Sequence, residues 1–292
     1  MGLFKKSSGK KVVRTKSSAE GSTTKHAEVI EILPVLVNRF DKLLQDEGLE
    51  RGSTTIITGG AGTGKTTFCM QSLYHGALAG DKGVYISFEE DPIKIKHHML
   101  KNFGWDIEKL EKKGLMAVIK VDPTKTARMV EGTLAKEVGA LRIELSKMKM
   151  PLKPDRIAVD SLSALSIAFE NERSYRKYVR ELFEMLESYN SVNLVIGETE
   201  QNPDVYSRTG VEEFLADGVV VLYNIKYKGR RKNALEILKI RSGGHVKQMV
   251  GYRITSKGWQ VHVEEEWESV LRGEPIKPAK AKKIQLRRMK IP

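Results

Sequence analysis

The sequence predicts an α/β fold, in which helices cover both faces of a largely parallel β-sheet and an antiparallel β extension follows. Between residues 54 and 197, short apolar segments alternate with amphipathic ones, and this pattern is typical of parallel sheets buried on both faces. From Gly218 onward, strand-like runs follow one another with only turns between them. The 292 residues, 40% of them hydrophobic, suffice for one large domain.

Five apolar runs in the first part of the chain are predicted to be parallel strands. They occupy residues 54–58, 84–88, 115–119, 156–160 and 192–197. The antiparallel extension is predicted at residues 219–225, 234–240, 252–255 and 259–263. Before the first of these strands, Pro34 interrupts the apolar residues 29–37, so that a strand and a short helix remain open, and residues 40–44 favour a helical turn.

Helical spacing separates the predicted strands. Asp91 followed by Pro92 favours a helix start, with Asp91 as N-cap and Pro92 in the first turn. Residues 127–147 and 172–190 carry apolar side chains at helical intervals. The second of these helices is predicted to bury one face, consisting of Tyr175, Tyr178, Val179, Leu182, Phe183 and Leu186.

The net charge of +13 lies in the two ends of the chain. Residues 1–25 contain seven basic residues and one acidic residue, residues 271–292 contain eight and one, and the remainder is balanced. We therefore interpret residues 1–27 as a basic, disordered arm, 28–265 as one folded domain and 266–292 as a basic tail. Contact with an acidic partner, nonspecific contact with nucleic acid and simple solvation are all open for these ends.

Targeting signals are not evident in the sequence. The first residues lack the apolar core of a secretory signal, and no apolar stretch reaches transmembrane length. We therefore expect a cytoplasmic protein without membrane insertion. The single cysteine, Cys69, has no partner for a disulfide within the chain, and we expect it to be a small buried apolar side chain.

Residues 59–66 (GGAGTGKT) match the phosphate-binding P-loop pattern G-x-x-x-x-G-K-[ST]. A predicted strand precedes them and a predicted helix follows, which is the context the pattern requires. Glycines let the backbone curl so that its N–H groups and the helix N-terminus face an anion. Lys65 is expected to reach the β- and γ-phosphates, and Thr66 to ligate Mg²⁺. The expected phosphate-binding residues are Gly60, Ala61, Gly62, Thr63, Gly64, Lys65, Thr66 and Thr67.

Acidic residues end two of the other predicted strands. Asp160 ends the fourth strand, where a carboxylate holds Mg²⁺ in P-loop proteins; the alternative is an N-cap of the next helix. Glu89 and Glu90 end the second strand, where a carboxylate can orient and deprotonate water. Adjacent side chains point in different directions, so we assign the base to Glu89 and a supporting or intersubunit role to Glu90. The alternative without a catalytic role is that Glu90 and Asp91 are simply acidic residues at the start of a helix. Together with Lys65, both glutamates are candidate catalytic residues.

Several stretches, in the same order along the chain, resemble the KaiC family, which is a branch of the RecA-type ATPases. They are residues 59–67, 88–90 (FEE), 157–161 (IAVDS), 210–214 (GVEEF) and 235–241 (LEILKIR). The resemblance covers roughly residues 28–263 and is to the single-domain, archaeal kind. It implies a RecA-type P-loop fold and a hexameric ring that binds ATP and Mg²⁺ at each subunit interface. It also implies that the neighbouring subunit contributes Lys239 and Arg241 as cations for the γ-phosphate and His245 as a sugar or base contact. Glu198 and Thr199 correspond to a polar γ-phosphate sensor.

One departure from the family bears on activity. The clock protein of the KaiC family has two tandem copies of this domain, and its phosphorylating copy carries adjacent serine and threonine. At the matching place, residues 212–217 (EEFLAD) contain no hydroxyl. The sequence thus predicts slow ATP hydrolysis without autophosphorylation at that place.

Three functions remain open from the sequence. The first is a nucleotide-driven switch for an unidentified protein partner. The second is a nucleic-acid-dependent motor or recombinase, although the loop at residues 201–217 has one cation against four acids and suits phosphates poorly. The third is a non-hydrolysing ATP-binding scaffold, which would not need Glu89 as a base.

Overall fold

The computed structural model describes residues 12–15, 29–134, 150–199, 210–227 and 229–263. The strands are β1 (Val12–Thr15), β2 (Val29–Leu33), β3 (Leu49–Glu50), β4 (Thr54–Gly59), β5 (Gly83–Ser87), β6 (Met116–Lys120), β7 (Arg156–Asp160), β8 (Val192–Ile196), β9 (Gly218–Tyr227), β10 (Arg230–Ile240), β11 (Val250–Thr255) and β12 (Gly258–His262). The helices are α1 (Lys65–Ala79), α2 (Pro92–Phe103), α3 (Ile107–Lys112), α4 (Pro123–Leu134), α5 (Leu162–Ala168), α6 (Glu172–Ser188) and α7 (Glu212–Leu215). A short 3₁₀ helix spans Phe40–Leu43.

Within the described residues, nine strands form one sheet in the order β12-β11-β10-β9-β4-β8-β7-β5-β6. The six strands from β9 to β6 are parallel, and β10, β11 and β12 extend the sheet in antiparallel fashion. The predicted α/β class, with a parallel sheet and an antiparallel extension, is therefore confirmed. Strand β4 lies between β9 and β8, so the loop that follows it emerges near the middle of the sheet.

Helices pack on both faces of the sheet because neighbouring strand residues point to opposite sides. On β5, Tyr85 joins the apolar cluster that contains α1, α2 and α3, whereas Val84 and Ile86 join the cluster that contains α4, α5 and α6. The predicted inner face of α6 is buried in the second cluster. Cys69 is also completely buried, as predicted.

Local capping explains where two of the helices begin. Asp91 Oδ1 accepts a 2.9 Å hydrogen bond from Ile93 N, and Pro92 opens α2, so the predicted helix start is confirmed. Asn171 Oδ1 accepts a 2.8 Å bond from Ser174 N at the start of α6. The helix predicted at residues 127–147 begins earlier, at Pro123, and its second half lies outside the described residues.

A second, three-stranded sheet of order β1-β2-β3 was not predicted. Strand β1 lies inside the segment predicted to be a disordered arm, so for Val12–Thr15 that prediction is wrong. The physical reason is antiparallel pairing with β2, in which Val12 is opposite Ile32 and Thr15 opposite Val29. Other residues of the arm, and all of the predicted tail, lie outside the described part of the chain.

No helix among the described residues combines the length and the apolar content needed to cross a membrane.

Candidate nucleotide site

The candidate site lies where β4, β8, β7 and β5 end, at one edge of the sheet. These four strands are consecutive neighbours and parallel. Their ends carry, in the same order, the P-loop, Glu198, Asp160 and Glu89. Ligands of parallel α/β sheets bind at this edge, beyond the carboxyl ends of the strands. The sheet order therefore brings together groups that are up to 139 positions apart in the sequence.

The P-loop is closed on itself by side chains. Thr63 Oγ1 donates a 2.8 Å hydrogen bond to Gly60 O. Lys65 Nζ turns back over the loop and donates to Gly59 O at 2.8 Å and to Gly60 O at 3.1 Å. The ammonium group therefore lies over the backbone that is expected to surround the phosphates. Gly60, Ala61 and Gly62 connect β4 to this turn, and Thr66 and Thr67 lie in the first turn of α1.

The ammonium group of Lys65 is buried, with 8% of the residue exposed. Burial lowers its pKa below the ordinary lysine range, and the carboxylates of Glu198, Asp160 and Glu89 act in the opposite direction. A buried cation facing three carboxylates favours the binding of a ligand that carries both negative charge and a divalent cation.

The hairpin of β11 and β12 supports the P-loop from behind, a contact that no sequence pattern indicated. Tyr252 OH donates a 2.6 Å hydrogen bond to Thr63 O, and Trp259 Nε1 donates a 3.1 Å bond to Gly64 O. The two rings are stacked with centroids 3.8 Å apart. Gly64 has φ 88°, a backbone conformation that favours glycine, and a Cβ there would lie 2.2 Å from Ile254 Cδ1, so that the isoleucine side chain would have to move.

Thr66 and Asp160, the two predicted metal ligands, are in direct contact. Thr66 Oγ1 donates a 2.8 Å hydrogen bond to Asp160 Oδ2, and the buried Tyr85 hydroxyl donates to the same oxygen. Burial raises the pKa of Asp160, while the two hydrogen bonds oppose that shift. The competing role of N-cap falls to the next residue, Ser161, whose Oγ accepts from Ala164 N at 3.4 Å.

The donor set of this pair fits Mg²⁺. A hydroxyl and a carboxylate supply hard oxygen ligands, and Mg²⁺ commonly takes one or two protein oxygens while phosphates and water complete the shell. Among the described residues, no group of three or more His, Cys, Asp or Glu side chains forms a metal cage. Thr66 and Asp160 together would supply two oxygen ligands, and phosphates and water would supply the others.

Glu89 and Glu90 are held in different places. Ser161 Oγ donates to Glu89 Oε1, which ties this carboxylate to the residue after Asp160. Glu90 instead pairs with His98 of α2, with Oε1 3.3 Å from Nδ1. The structure therefore places Glu89 with Lys65, Thr66 and Asp160, a group that we call the P-loop cluster. It turns Glu90 toward α2. Ser161 was not singled out from the sequence as a functional residue.

Glu198 and Thr199 follow β8, between the P-loop and Asp160. Ser163 Oγ of α5 accepts a 3.0 Å hydrogen bond from Glu198 N. Glu198 is the strongest of the charges that favour protonated Lys65. The role of γ-phosphate sensor that the family resemblance implies for Glu198 and Thr199 stays a prediction.

Lys239 and Arg241 lie at the amino ends of the parallel strands, whereas the P-loop of the same chain lies at their carboxyl ends. In β10, Lys239 and Ile240 pair with Val219 and Gly218 at the start of β9, and Gly218 is level with Thr55 near the start of β4. From there to Gly59, strand β4 rises by about 13 Å, at about 3.3 Å per residue. The two cations therefore lie at the far end of the strands from the P-loop of the same chain.

Short helix α7 holds both cations by its backbone carbonyls. Lys239 Nζ donates to Glu213 O at 3.0 Å, and Arg241 Nη2 donates to Phe214 O at 2.8 Å. The Arg241 side chain remains 54% exposed. Burial, followed by the charge of Arg241, lowers the pKa of Lys239.

His245 lies in the turn after β10, next to the 3₁₀ helix. Its backbone forms an isolated antiparallel β-bridge with Leu44, and Val246 N donates a 2.9 Å hydrogen bond to Leu43 O. Burial lowers the pKa of the His245 imidazole, and the charge of Lys247 lowers it further. All three residues that the resemblance assigned to a neighbouring site thus lie outside the P-loop cluster of this chain.

Comparisons with known proteins agree with this arrangement. A family model described as the KaiC ATPase matches residues 33–266. The circadian clock oscillator protein KaiC of Acaryochloris marina (strain MBIC 11017) is 32% identical over 235 residues, which cover 78% of this chain and 44% of that protein. KaiC of Parathermosynechococcus lividus is 34% identical over 215 residues, or 72% of this chain and 39% of the relative. The chain therefore spans less than half the length of these curated relatives.

A solved structure matches over a similar region. The crystal structure of a KaiC-like protein from the hyperthermophilic archaeon Pyrococcus horikoshii OT3 has a TM-score of 0.65 and 28% sequence identity. The match covers 80% of this chain and 99% of that one. The P-loop cluster, the sheet order and these matches lead to one conclusion: the chain belongs to the KaiC family of ATPases, with a RecA-type P-loop fold.

Proposed function

We propose that this protein binds ATP with Mg²⁺ at the interfaces of a homohexameric ring, hydrolyses it slowly, and thereby acts as a nucleotide-driven switch for a partner protein. Each nucleotide would lie between the P-loop of one subunit and the Lys239–Arg241 edge of the next. The cellular site of action that we infer is the cytoplasm.

The observation that carries this proposal is the separation of the two sets of residues within one chain. The P-loop emerges where β4 ends, and Lys239 and Arg241 emerge where β4 begins. A head-to-tail contact between identical chains brings one edge to the other, and such contacts close into a ring when the rotation permits. An isolated subunit would carry two half-sites, and each interface would complete one.

Within one subunit, four side chains have distinct roles. Lys65 binds the β- and γ-phosphates, and Thr66 and Asp160 hold the Mg²⁺ that accompanies the nucleotide. When bound, Mg²⁺ neutralises charge that develops on the phosphate oxygens. Glu89 accepts the proton of the attacking water, and the hydrogen bond from Ser161 fixes the orientation of its carboxylate.

The neighbouring subunit supplies positive charge. The side chain of Arg241 is 54% exposed. It reaches across the interface to the γ-phosphate, and Lys239 lies beside it. Cations supplied in trans stabilise the charge of the transition state for phosphoryl transfer. His245 follows them at the same edge and contacts the sugar or the base.

Regulation follows from the position of the nucleotide. A ligand bound between two subunits favours the assembled state, so hydrolysis changes the ring that a partner protein would recognise. The segment Glu212-Glu213-Phe214-Leu215-Ala216-Asp217 offers no hydroxyl for phosphorylation. Tyr175 OH donates a 2.6 Å bond to Glu212, so this carboxylate is engaged inside its own chain. We therefore infer hydrolysis without autophosphorylation at this place.

Mixing two inactive variants tests the shared site. Lys65→Ala removes the phosphate-binding cation and leaves Arg241 intact, whereas Arg241→Ala leaves the P-loop intact. Each variant alone is expected to lose ATP hydrolysis. Reassembled at equal amounts, random rings would have about a quarter of their interfaces intact and regain about a quarter of the wild-type rate.

Arg231→Ala serves as the matched control, because Arg231 lies at the other end of β10, where its Nη1 donates to Asn224 O. This variant is expected to hydrolyse ATP normally. Mixed rings of Lys65→Ala and Arg241→Ala that form, as shown by mass spectrometry, and yet stay inactive would refute the shared site.

A further inference from the structure

Asp217 connects the start of the P-loop strand to Arg241. Its backbone N donates to Thr54 O at 2.8 Å, and its backbone O accepts from Arg241 N at 2.9 Å. The residue precedes β9, and Thr54 is the first residue of β4. Asp217 is therefore the point at which the strand that leads to the P-loop meets the segment that carries the arginine.

The carboxylate repeats this connection with its two oxygens. Oδ2 accepts a 3.0 Å hydrogen bond from Thr54 N, and Oδ1 accepts a 3.3 Å bond from Arg241 Nη1. The guanidinium is held from a second side by Phe214 O, which accepts from Nη2 at 2.8 Å. Two acceptors thus fix the plane of the Arg241 side chain, and a planar guanidinium held at two nitrogens has a defined direction.

We propose that Asp217 is a positioning residue, which orients Arg241 toward the nucleotide of the neighbouring subunit and fixes it to the P-loop strand of its own subunit. This inference rests on the proposed shared site. It assigns Asp217 no contact with ATP. The carboxylate acts through Arg241, and a displacement of about 1 Å in a positioned group can cost about 100-fold in rate.

Asparagine is the informative substitution because it nearly preserves the size of the side chain. A carboxylate offers acceptors on both oxygens, whereas an amide offers one acceptor and one donor group. In either orientation of Asp217→Asn, the amide N–H₂ faces a donor, either Thr54 N–H or the Arg241 guanidinium. The arginine therefore loses its fixed direction or the strand loses its link.

The chain provides a closely matched control in Asp155, at the same edge of the sheet. Asp155 Oδ2 accepts from Lys82 N at 2.8 Å, and its Oδ1 accepts from Arg51 Nη2 at 2.8 Å. It thus has the same combination of one backbone donor and one arginine as Asp217, but its arginine is Arg51 and not Arg241. Asp155→Asn measures the cost of losing such a carboxylate in general.

The experiment compares full-length Asp217→Asn and Asp155→Asn in steady-state ATP hydrolysis, binding of a fluorescent ATP analogue and thermal unfolding. For Asp217→Asn we expect kcat to fall about tenfold or more, with the dissociation constant of the analogue changed by less than about threefold. For Asp155→Asn we expect an unchanged kcat. Asp217→Glu, which moves the charge by one methylene, carries the same test if the asparagine variant does not fold.

Mixed rings identify the subunit on which Asp217 acts. Asp217→Asn keeps its own P-loop, so mixing it with Lys65→Ala, which provides an intact Arg241, is expected to restore hydrolysis. An unchanged kcat in Asp217→Asn, or weakened nucleotide binding without restoration on mixing, would overturn the proposal. If Lys65→Ala and Arg241→Ala also fail to complement each other, the shared site itself is wrong. If that pair succeeds and only the Asp217 mixture fails, the role of Asp217 alone is wrong.

Discussion

Thr66 and Asp160 are joined by a 2.8 Å hydrogen bond from Oγ1 to Oδ2, although they lie 94 positions apart in the sequence. The first turn of α1 and the end of β7 are therefore close enough for the two side chains to bind one cation together. Because one residue is the proposed hydroxyl ligand and the other the carboxylate ligand, the effect of Mg²⁺ on nucleotide binding should depend on both.

Replacing Thr66 tests this relation. We expect Thr66→Ala to weaken Mg²⁺-dependent binding of a fluorescent ATP analogue by about tenfold or more, because an oxygen ligand is lost. Binding measured in excess chelator should change little. Thr126→Ala is the control, since Thr126 also lies in the first turn of a helix and its Oγ1 donates to Asp122 O within that turn. Equal losses with and without Mg²⁺ would argue against a metal ligand.

Glu89 and Glu90 should differ in their effect on hydrolysis. Glu89→Gln is expected to lower kcat by about 100-fold or more while nucleotide binding persists, because a neutral amide cannot accept the proton of water. Glu90→Gln should have a far smaller effect, since its carboxylate pairs with His98. Phosphate release from assembled protein is the measurement. Comparable rates for both variants would mean that Glu89 is not the base.

The aromatic support of the P-loop gives a third prediction. Tyr252→Phe removes the hydrogen bond to Thr63 O without changing the stacked ring, and we expect nucleotide affinity to fall by about threefold to tenfold, equivalent to about 1 kcal/mol. Tyr175→Phe is the matched control, because its hydroxyl bonds Glu212 rather than the P-loop. Titration of the ATP analogue compares the two, and equal affinities would show that this support does not shape the loop.

Two helical glycines should respond in opposite ways to alanine. At Gly76 in α1, a Cβ would lie 2.4 Å from Arg156 Nε, and the buried arginine cannot retreat because Asp81 and Pro34 O hold it. Gly76→Ala is therefore expected to lower the free energy of unfolding by about 1–3 kcal/mol.

At Gly132 in α4, a Cβ would meet no atom within 4 Å. Gly132→Ala should raise the free energy of unfolding by about 0.5–1 kcal/mol, because glycine loses more backbone freedom in a helix. Denaturant unfolding measures the free energy of unfolding of both variants. A stabilised Gly76→Ala would show that the Arg156 side chain can move despite its hydrogen bonds.

Asp41 should make stability depend on pH. Burial raises its pKa from 3.8 to about 6, although its carboxylate accepts hydrogen bonds from Val35 N and Leu36 N. Between these two values the folded protein retains a proton that the unfolded chain has released. Its contribution to the free energy of unfolding is therefore full below about pH 4 and is lost as the pH rises through about 6.

Unfolding measured between pH 4 and 7 for the wild type and Asp41→Asn tests this contribution. The difference in stability between the two proteins should change with pH in this window. A constant difference would show that Asp41 has the same pKa in both states.

The sequence alone predicted the parts of the molecule that depend on local patterns. Strand β7 occupies residues 156–160 as predicted, because a short β-branched run is bounded by charged and turn-forming residues. The buried face of α6 followed from apolar residues at helical spacing. The P-loop, with its strand and helix, also followed from sequence, since its glycines and Lys65 act within eight consecutive residues.

Tertiary structure decided which distant groups meet. No pattern around Tyr85, Ser161 or Tyr252 indicates that their hydroxyls bond Asp160, Glu89 and the P-loop, because those contacts arise from sheet order and from a hairpin packed on α1. Strand β1 likewise depends on pairing with residues of β2 that lie 14 to 20 positions away. Strand register, too, places Lys239 and Arg241 at the edge opposite the P-loop. Neighbouring residues determine the P-loop and the helix caps. The placement of Lys239 and Arg241 at the opposite ends of the strands from the P-loop comes from long-range strand pairing, which only the folded chain defines.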